Sequence, residues 1–456
     1  MGQRTRLQNQ SEESKMTFGV LNRDKNYFSV AEPLLPVESS AQLTQEAAVT
    51  TVTFFSGAST EAVADVARER LRLVLKSNPW IAGKVVKDAK KYGKRCQLVF
   101  YPFDDVPDDV IDAIFQVNPP ELTDKIYPTM KYGELCKVVS SSSAIVPRLG
   151  PGYLYKSTID VGRLLTRMTV VSSGSGEDCA VIFSMSHTIA DGHTYYHILN
   201  MLSITSDPLK SPMRVKRVQE AAPKMIEAQG KADYDFTTSI GHIGAAAMGA
   251  MFGKKARLYT YYVDETKIAT KKAICKEVAS KEGKETVIVS HNDIITSAFG
   301  NCVDGRLINM AVNWRGRVEG IMDPFYAGNY EYVLWLDKQQ YQSPLGVREC
   351  LQSGPPYFKS HGDRPLPGMW EALTICKFGN IVSWAGFIGE LVFVEGCEQK
   401  LHVPIVPMNL IPYETCLIFR PVANRLAVMY FSKRFGRDEI LEKMPLGEPV
   451  SRDMFG

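Results

Sequence analysis

None of the nine cysteines stands at a metal-ligand spacing from another. Cys96, Cys136, Cys179, Cys275, Cys302, Cys350, Cys376, Cys397 and Cys416 are scattered, and no CxxC occurs. An odd number of thiols, several inside apolar runs, predicts small core residues in a reducing compartment and no metal centre. Long blocks of one charge are also missing. With 53 basic and 50 acidic residues the formal charge is +3, which offers no electrostatic basis for nucleic-acid binding. No apolar run is long enough to span a bilayer. The nearest, "SIGHIGAAAMGAMFG" from Ser239 to Gly253, is short and interrupted by glycines and His242. It is expected as a small-residue surface helix or part of a linker, in preference to a membrane-contacting patch. The polar start "MGQRTRLQNQSEESKM" lacks the apolar segment of a signal peptide. Arg6 stands where a myristoylation signal at Gly2 needs Ser or Thr, and "SRDMFG" carries no prenylation or peroxisomal signal. A cytoplasmic location is the expectation.

What is present is enough for two ordinary domains: 456 residues, 45% apolar and 23% charged. Val49–Gly57 reads as a strand. Ser59 then caps a helix with Glu61 in its first turn, and Val63, Val66, Ala67, Leu71, Val74 and Leu75 recur on one face. Asn78-Pro79 ends that helix. "IAGKVVK" and "RCQLVFY" follow as strands joined through the charged turn "DAKKYGK", and "LLTRMTVVSS" and "CAVIFSMS" form a hairpin around "GSGED". From Pro208 to Lys255 the periodicity loosens, as in a crossover between domains. The second half opens with a strand ending at Val263-Asp264 and a lysine-rich helix, then a capped helix in "VSHNDIITSAFGNCV". In "RLINMAVNWRGRVEG" a period of two puts Arg315 and Arg317 on one face. "IVSWAGF", "ELVFVEG", "TCLIFRP" and "RLAVMYF" read as later strands. Strands mixed with helices in both halves predict an α/β fold.

The stretch "CAVIFSMSHTIADGHTYYHILNML" ends an apolar strand on His187, reaches Asp191 four residues on, and enters a helix at Gly192. "VNWRGRVEGIMDPFYAGNY" supplies Arg315, Arg317, Pro324, Gly328 and Asn329, and "IVSWAGF" supplies Ser383 and Trp384. Together with the earlier "LVLKSNPWIAGKVV", and in the family's order along the chain, these segments resemble the HxxxD acyltransferases: chloramphenicol acetyltransferase, the plant BAHD enzymes and the condensation domains of peptide synthetases. The likeness covers most of the chain from about residue 50. Two departures separate it from particular branches. The BAHD DFGWG motif is absent, and Ser186 stands where condensation domains usually carry a second histidine.

The resemblance implies two chloramphenicol-acetyltransferase-like α/β domains with mixed sheets flanked by helices and an active-site channel at their interface. Boundaries are placed at 1–225 for the first domain, 226–255 for the linker and 256–456 for the second. The resemblance also implies acyl transfer from a coenzyme A thioester to a hydroxyl or amine of a small-molecule acceptor. No cofactor is permanently bound, and acyl-coenzyme A is the co-substrate. His187 is the general base, because a neutral imidazole titrates near the working pH. Asp191, by the resemblance, points away from the reacting atoms and pairs with an arginine, Arg315 before Arg317, so that it fixes the loop aiming the histidine. Gly192 permits the tight turn. Ser383 and the Trp384 indole are candidates for the oxyanion donor, Val382 having replaced the Thr of many BAHD members. Lys267, Lys271, Lys272 and a cap at Ser290 are candidates for the coenzyme A phosphates, although a solvated helix face is the commoner use of such lysines. His193 and His197, four apart, lack an evident third metal ligand and are expected on a helix surface or pocket wall. Tyr195 and Tyr196 are core by default. A monomer is expected. The alternatives are a carrier-protein-dependent acyltransferase and a non-catalytic binding protein with the same fold.

Overall fold

The structure is a computed structural model. It describes residues 29–40, 43, 46–88, 96–149, 158–160, 164–174, 176–210, 212–284, 287–318, 320–321, 323–351 and 365–449. The expected turn at residues 88–94 falls almost wholly outside them.

The chain divides into two compact units, neither continuous in sequence. The first runs through Gln219 and takes back Asp323–Asn329 and Phe387–Val406. The second comprises Glu220–Met322, Tyr330–Gly386 and the chain from Pro407 onward.

In the first unit, Val49–Ser56 and Asp178–Met185 pair antiparallel, with Val49 opposite Met185 and Ser56 opposite Asp178. Both strands are buried along nearly their whole length, which explains their almost continuous apolar sequence. They are the inner strands of a five-stranded sheet ordered Glu398–Pro404, Val49–Ser56, Asp178–Met185, Thr166–Ser172, Phe115–Val117. The helix Thr60–Ser77 starts where Ser59 Oγ accepts from the Ala62 amide, and buries Val63, Ala67, Leu71, Val74 and Leu75. Arg70 on this helix reaches the carbonyl of Met201 at 2.7 Å and that of Ser206 at 2.9 Å, tying it to the far end of the motif helix. A smaller sheet orders Val30–Pro33, Gln97–Phe100, Lys84–Asp88 and Thr158–Asp160.

The second unit is built on a seven-stranded sheet ordered Glu331–Leu336, Leu307–Asn313, Phe378–Ser383, Glu414–Val422, Arg425–Ser432, Arg257–Val263, Gly447–Pro449. Leu307–Asn313, Phe378–Ser383 and Glu414–Val422 run parallel, and helices Glu265–Lys281 and His291–Val303 supply the crossover layer. The mixed α/β class with sheets flanked by helices is therefore the one expected.

Three local readings are corrected. From Ala221 the expected loose crossover is helical: Ala221–Gln229, Lys231–Thr237 and Ile240–Phe252 are helices. They lack a clean sequence period because the last one buries small residues, not large ones. "ELVFVEG" is not a strand, and the pairing segment is Glu398–Pro404 just beyond it. Gly396 there has φ +82, a turn that strand geometry does not allow. Lastly, the strand carrying Arg315 and Arg317 stops at Asn313. Gly316 at φ +74 turns the chain, the Gly316 amide bonds the Ile321 carbonyl, and the period of two no longer relates the two arginines.

Candidate functional site

Strand Asp178–Met185 delivers the motif. Its extension is held by the Ser186 amide donating to the Leu165 carbonyl at 2.8 Å, and a turn closes when the Ile189 amide reaches the Ser186 carbonyl. His187 therefore sits two residues beyond the sheet, partly exposed, on a loop whose other residues Thr188, Ile189 and Ala190 are buried. Asp191 is fully buried and caps helix Gly192–Met201, its Oδ1 accepting from the Thr194 amide at 2.8 Å. Tyr195 and Tyr196 are buried in the core, as expected. Tyr195 donates to the Phe183 carbonyl and bonds Thr51, each at 2.8 Å, riveting the helix to the sheet.

The loop Asp323–Asn329 comes back from the second half of the sequence to this helix. Thr194 Oγ1 donates to the Gly328 carbonyl at 3.0 Å, and His193 Nε2 bonds the Pro324 carbonyl at 2.8 Å. His197 packs edge-on against Phe325. The two helix histidines thus grip a loop, which accounts for them without a metal.

What the loop carries is Asn329. Its Oδ1 lies 3.1 Å from His187 Nδ1, and its Nδ2 donates to the His187 carbonyl at 2.9 Å and to Glu38 Oε1 at 3.3 Å. Both Nδ2 partners are acceptors only, so the amide has one orientation. Its oxygen faces the ring, Nδ1 must be the donor, and the neutral ring keeps its lone pair on Nε2. Nε2 faces the Glu46 carboxylate at 3.6 Å, on the more exposed side.

Behind Asn329 stands a buried ion pair. Glu38 and Arg217 have no exposed side-chain surface, and Arg217 Nε donates to Glu38 Oε2 at 2.7 Å. The other Glu38 oxygen also accepts the Asn329 amide at 3.0 Å, while Oε2 accepts the Leu35 amide at 2.8 Å. Arg217 also donates from Nη1 to the Val215 carbonyl and from Nη2 to the Ile189 carbonyl. Glu38 accepts four hydrogen bonds and each Arg217 nitrogen donates one, the kind of satisfaction under which a buried ion pair is tolerated. Because Ile189 belongs to the HTIAD turn, this pair touches both the loop bearing His187 and the residue that orients its ring.

The remaining candidates lie in the second unit. Arg315 is buried, with Nη1 on Asn313 Oδ1 at 3.1 Å and its guanidinium 4.9 Å above the Tyr330 ring. Arg317 is instead near Arg348 and Asp293; burial and the Arg348 charge lower its pKa. Ser383 ends its strand opposite Ile418, and the Trp384 amide bonds the Ile418 carbonyl at 2.8 Å. Lys267, Lys271 and Lys272 are half-buried on helix Glu265–Lys281, and Lys272 Nζ lies 3.2 Å from His291 Nδ1. The Ser290 hydroxyl is engaged in a capping box with Asp293.

Glu38, Arg217 and Glu46 escaped sequence reasoning. They lie far from the motif in sequence and carry no spacing signal. Asn329 was visible only as part of a motif, without a role. His402 belongs to none of the motifs, and it is fully buried between Thr53 and Tyr196.

No protein-family profile matches the sequence, and no curated protein matches it by sequence. Solved structures do match in fold. TRI101 of F. sporotrichioides, complexed with coenzyme A and T-2, aligns with TM-score 0.55 and 14% identity over 92% of this chain and 98% of that one. The first condensation domain of the calcium-dependent antibiotic synthetase, in complex with a substrate analogue, aligns with TM-score 0.52 and 13% identity over 91% and 94%. Polyketide synthase associated protein 5 from Mycobacterium tuberculosis gives 0.52 and 11% over 91% and 97%. At such identities the likeness establishes the two-domain chloramphenicol-acetyltransferase-like fold.

Proposed function

We propose that this chain is an acyltransferase that moves an acyl group from a coenzyme A thioester to a hydroxyl or amine of a small-molecule acceptor, with His187 as general base. The observation that carries the reading is the Asn329 amide, whose orientation leaves His187 Nε2 as the basic nitrogen. In this reading Nε2 takes the acceptor's proton as the acceptor oxygen or nitrogen attacks the thioester carbonyl. The carbon–sulfur bond then breaks, and the same proton passes to the leaving thiolate. No bond to the enzyme forms. Glu46, 3.6 Å from Nε2, stabilises the transient imidazolium. Asp191 anchors the helix that follows the loop and so sets where the ring points. Ser383 or Trp384 as oxyanion donor, and Lys267, Lys271, Lys272 and the Ser290 helix start as the phosphate site, complete the proposal. Coenzyme A in TRI101 and a substrate analogue in the condensation domain support the donor and the acyl chemistry by analogy of fold.

The test is thermal unfolding of the purified chain with coenzyme A and a panel of acyl-coenzyme A thioesters. A ligand at 100 times its Kd stabilises by about 2.7 kcal/mol, which raises the melting temperature by several degrees. A rise with one acyl class, followed by thiol release on adding acceptors, is the expected result. No shift with any thioester would redirect the proposal to an acyl donor held on a carrier protein, or to a fold that binds without reacting.

A further inference from the structure

Helix Ile240–Phe252 is built inside out. Its small residues face the protein. A Cβ on Gly241 would meet the Met369 backbone at 2.9 Å, one on Gly244 would meet Leu373, and one on Gly249 would press on the Pro412 carbonyl. Its large apolar residues face away. Ile240, Ile243 and Met251, at i, i+3 and i+11, form one exposed stripe with Ala247 between them, widened by Met248 and Phe252. Ile240 is 78% exposed and Phe252 74%. A surface helix ordinarily turns such a stripe toward the core. Beside it, helix Met369–Thr374 adds Trp370 at 71% exposure, with Met369 also exposed. Contiguous apolar surface of this kind marks an interaction site.

We propose that this face docks the protein on an anionic lipid surface, with the helix lying in the plane of the interface. Charge selects the partner. Lys254, Lys255 and Arg257 are exposed just past the helix, and residues 236–263 contain no Asp or Glu. The acid on the neighbouring helix, Glu371, is paired with Arg306. An apolar stripe bordered by cations is the composition of interfacial helices, and an exposed indole suits the headgroup region. Length excludes crossing: 13 residues rise about 20 Å, short of the roughly 30 Å hydrocarbon core. Among the described residues no helix is long and apolar enough to cross a membrane. A second copy of the same face is the poorer partner, because it would bring three more cations and no carboxylate from this stretch. The proposal rests on grounds independent of the chemistry at His187.

The test is co-sedimentation of the full chain with vesicles of phosphatidylcholine alone and of phosphatidylcholine with phosphatidylserine. Binding is expected on the anionic vesicles, at least about tenfold weaker on the neutral ones, and relieved by salt. Met251→Glu with Phe252→Glu should abolish it at an unchanged melting temperature. Lys254→Glu with Lys255→Glu should remove only the preference for phosphatidylserine. Should the Met251/Phe252 variant misfold, brominated phosphatidylcholine mixed into the anionic vesicles should quench the wild-type fluorescence, and Trp370→Phe should remove that quenching. The proposal is overturned by absence of sedimentation with either vesicle, or by binding that survives the Met251/Phe252 change. It is equally overturned by a wild-type dimer that this change turns into a monomer, which would assign the face to a second copy.

Discussion

His187 lies just past a central strand of the five-stranded sheet, and His402 lies within its edge strand Glu398–Pro404. Both rings have Nδ1 hydrogen-bonded by a neutral side chain, Asn329 Oδ1 at 3.1 Å and Thr53 Oγ1 at 2.8 Å. They part at Nε2. In His402 it meets the buried Tyr196 hydroxyl at 3.1 Å, and burial pushes the ring's pKa down to about 3. In His187 it faces a partly exposed carboxylate. A fixed Nδ1 is thus common to both rings; what lies beyond Nε2, a buried hydroxyl or a partly exposed carboxylate, makes the difference. Sequence cannot draw that line, because it depends on which remote residue lies beyond the ring.

The largest expected effect comes from exchanging the two roles by deletion. His187→Ala should lower acyl transfer by about 10³-fold, the order general acid–base catalysis supplies, and leave the melting temperature almost unchanged. His402→Ala should do the reverse. It leaves a cavity and strips two buried hydroxyls of a partner, so urea unfolding should register a loss of about 3–5 kcal/mol. Parallel losses of activity and stability in both variants would dissolve the distinction.

The next test removes the support behind His187. Glu38→Gln leaves Arg217 charged and unanswered in the interior, which should cost about 3–5 kcal/mol of stability. Adding Arg217→Met should restore part of this, because an apolar side chain replaces an ion whose partner has gone. If the double variant recovers stability but not transfer rate, the pair serves the site through Asn329 and the Ile189 carbonyl. If both recover, the pair serves only the fold.

Acid sharpens the comparison further. An unfolded chain protonates His402 at its ordinary value of 6.5, whereas the folded chain refuses the proton down to about 3. The unfolded state therefore binds more protons in that window. The stability tied to the neutral ring is full above about pH 6.5 and is lost as the pH falls toward 3, the loss reaching on the order of 4–5 kcal/mol. His402→Gln should flatten that part of the stability–pH curve measured by urea unfolding. An unchanged slope would place the acid-sensitive group elsewhere.

Much of the scaffold was legible because its signals are local. Ser59, the stripe from Val63 to Leu75, Asn78-Pro79 and the apolar run into His187 each report on residues within a turn or two. The failures share a cause. Gly316 and Gly396 turn the chain through positive φ in segments whose residues read as strand. Helix Ile240–Phe252 hides its period because its inward face is glycine and alanine. The site was half legible. His187, Asp191 and Gly192 sit in one continuous segment, whereas Glu38, Arg217 and Asn329 meet only because residues 323–329 return to the first unit. No local pattern encodes such a return.

The smallest effect, and the most discriminating, belongs to Asp191. Its carboxylate caps helix Gly192–Met201 through the Thr194 amide, a role Asn fills nearly as well, so Asp191→Asn should cost at most about 1 kcal/mol through the cap. Loss of the negative charge at a helix N-terminus adds about 0.3–1 kcal/mol. A fall in transfer rate of about tenfold, larger than that small loss of stability explains, would mean that the charge holds the loop in register and through it the aim of His187. A melting temperature lowered by several degrees at full activity would make Asp191 a structural residue with no part in positioning. Full activity at an unchanged melting temperature would remove both roles, and would leave Asn329 as the sole control on which nitrogen of His187 meets the acceptor.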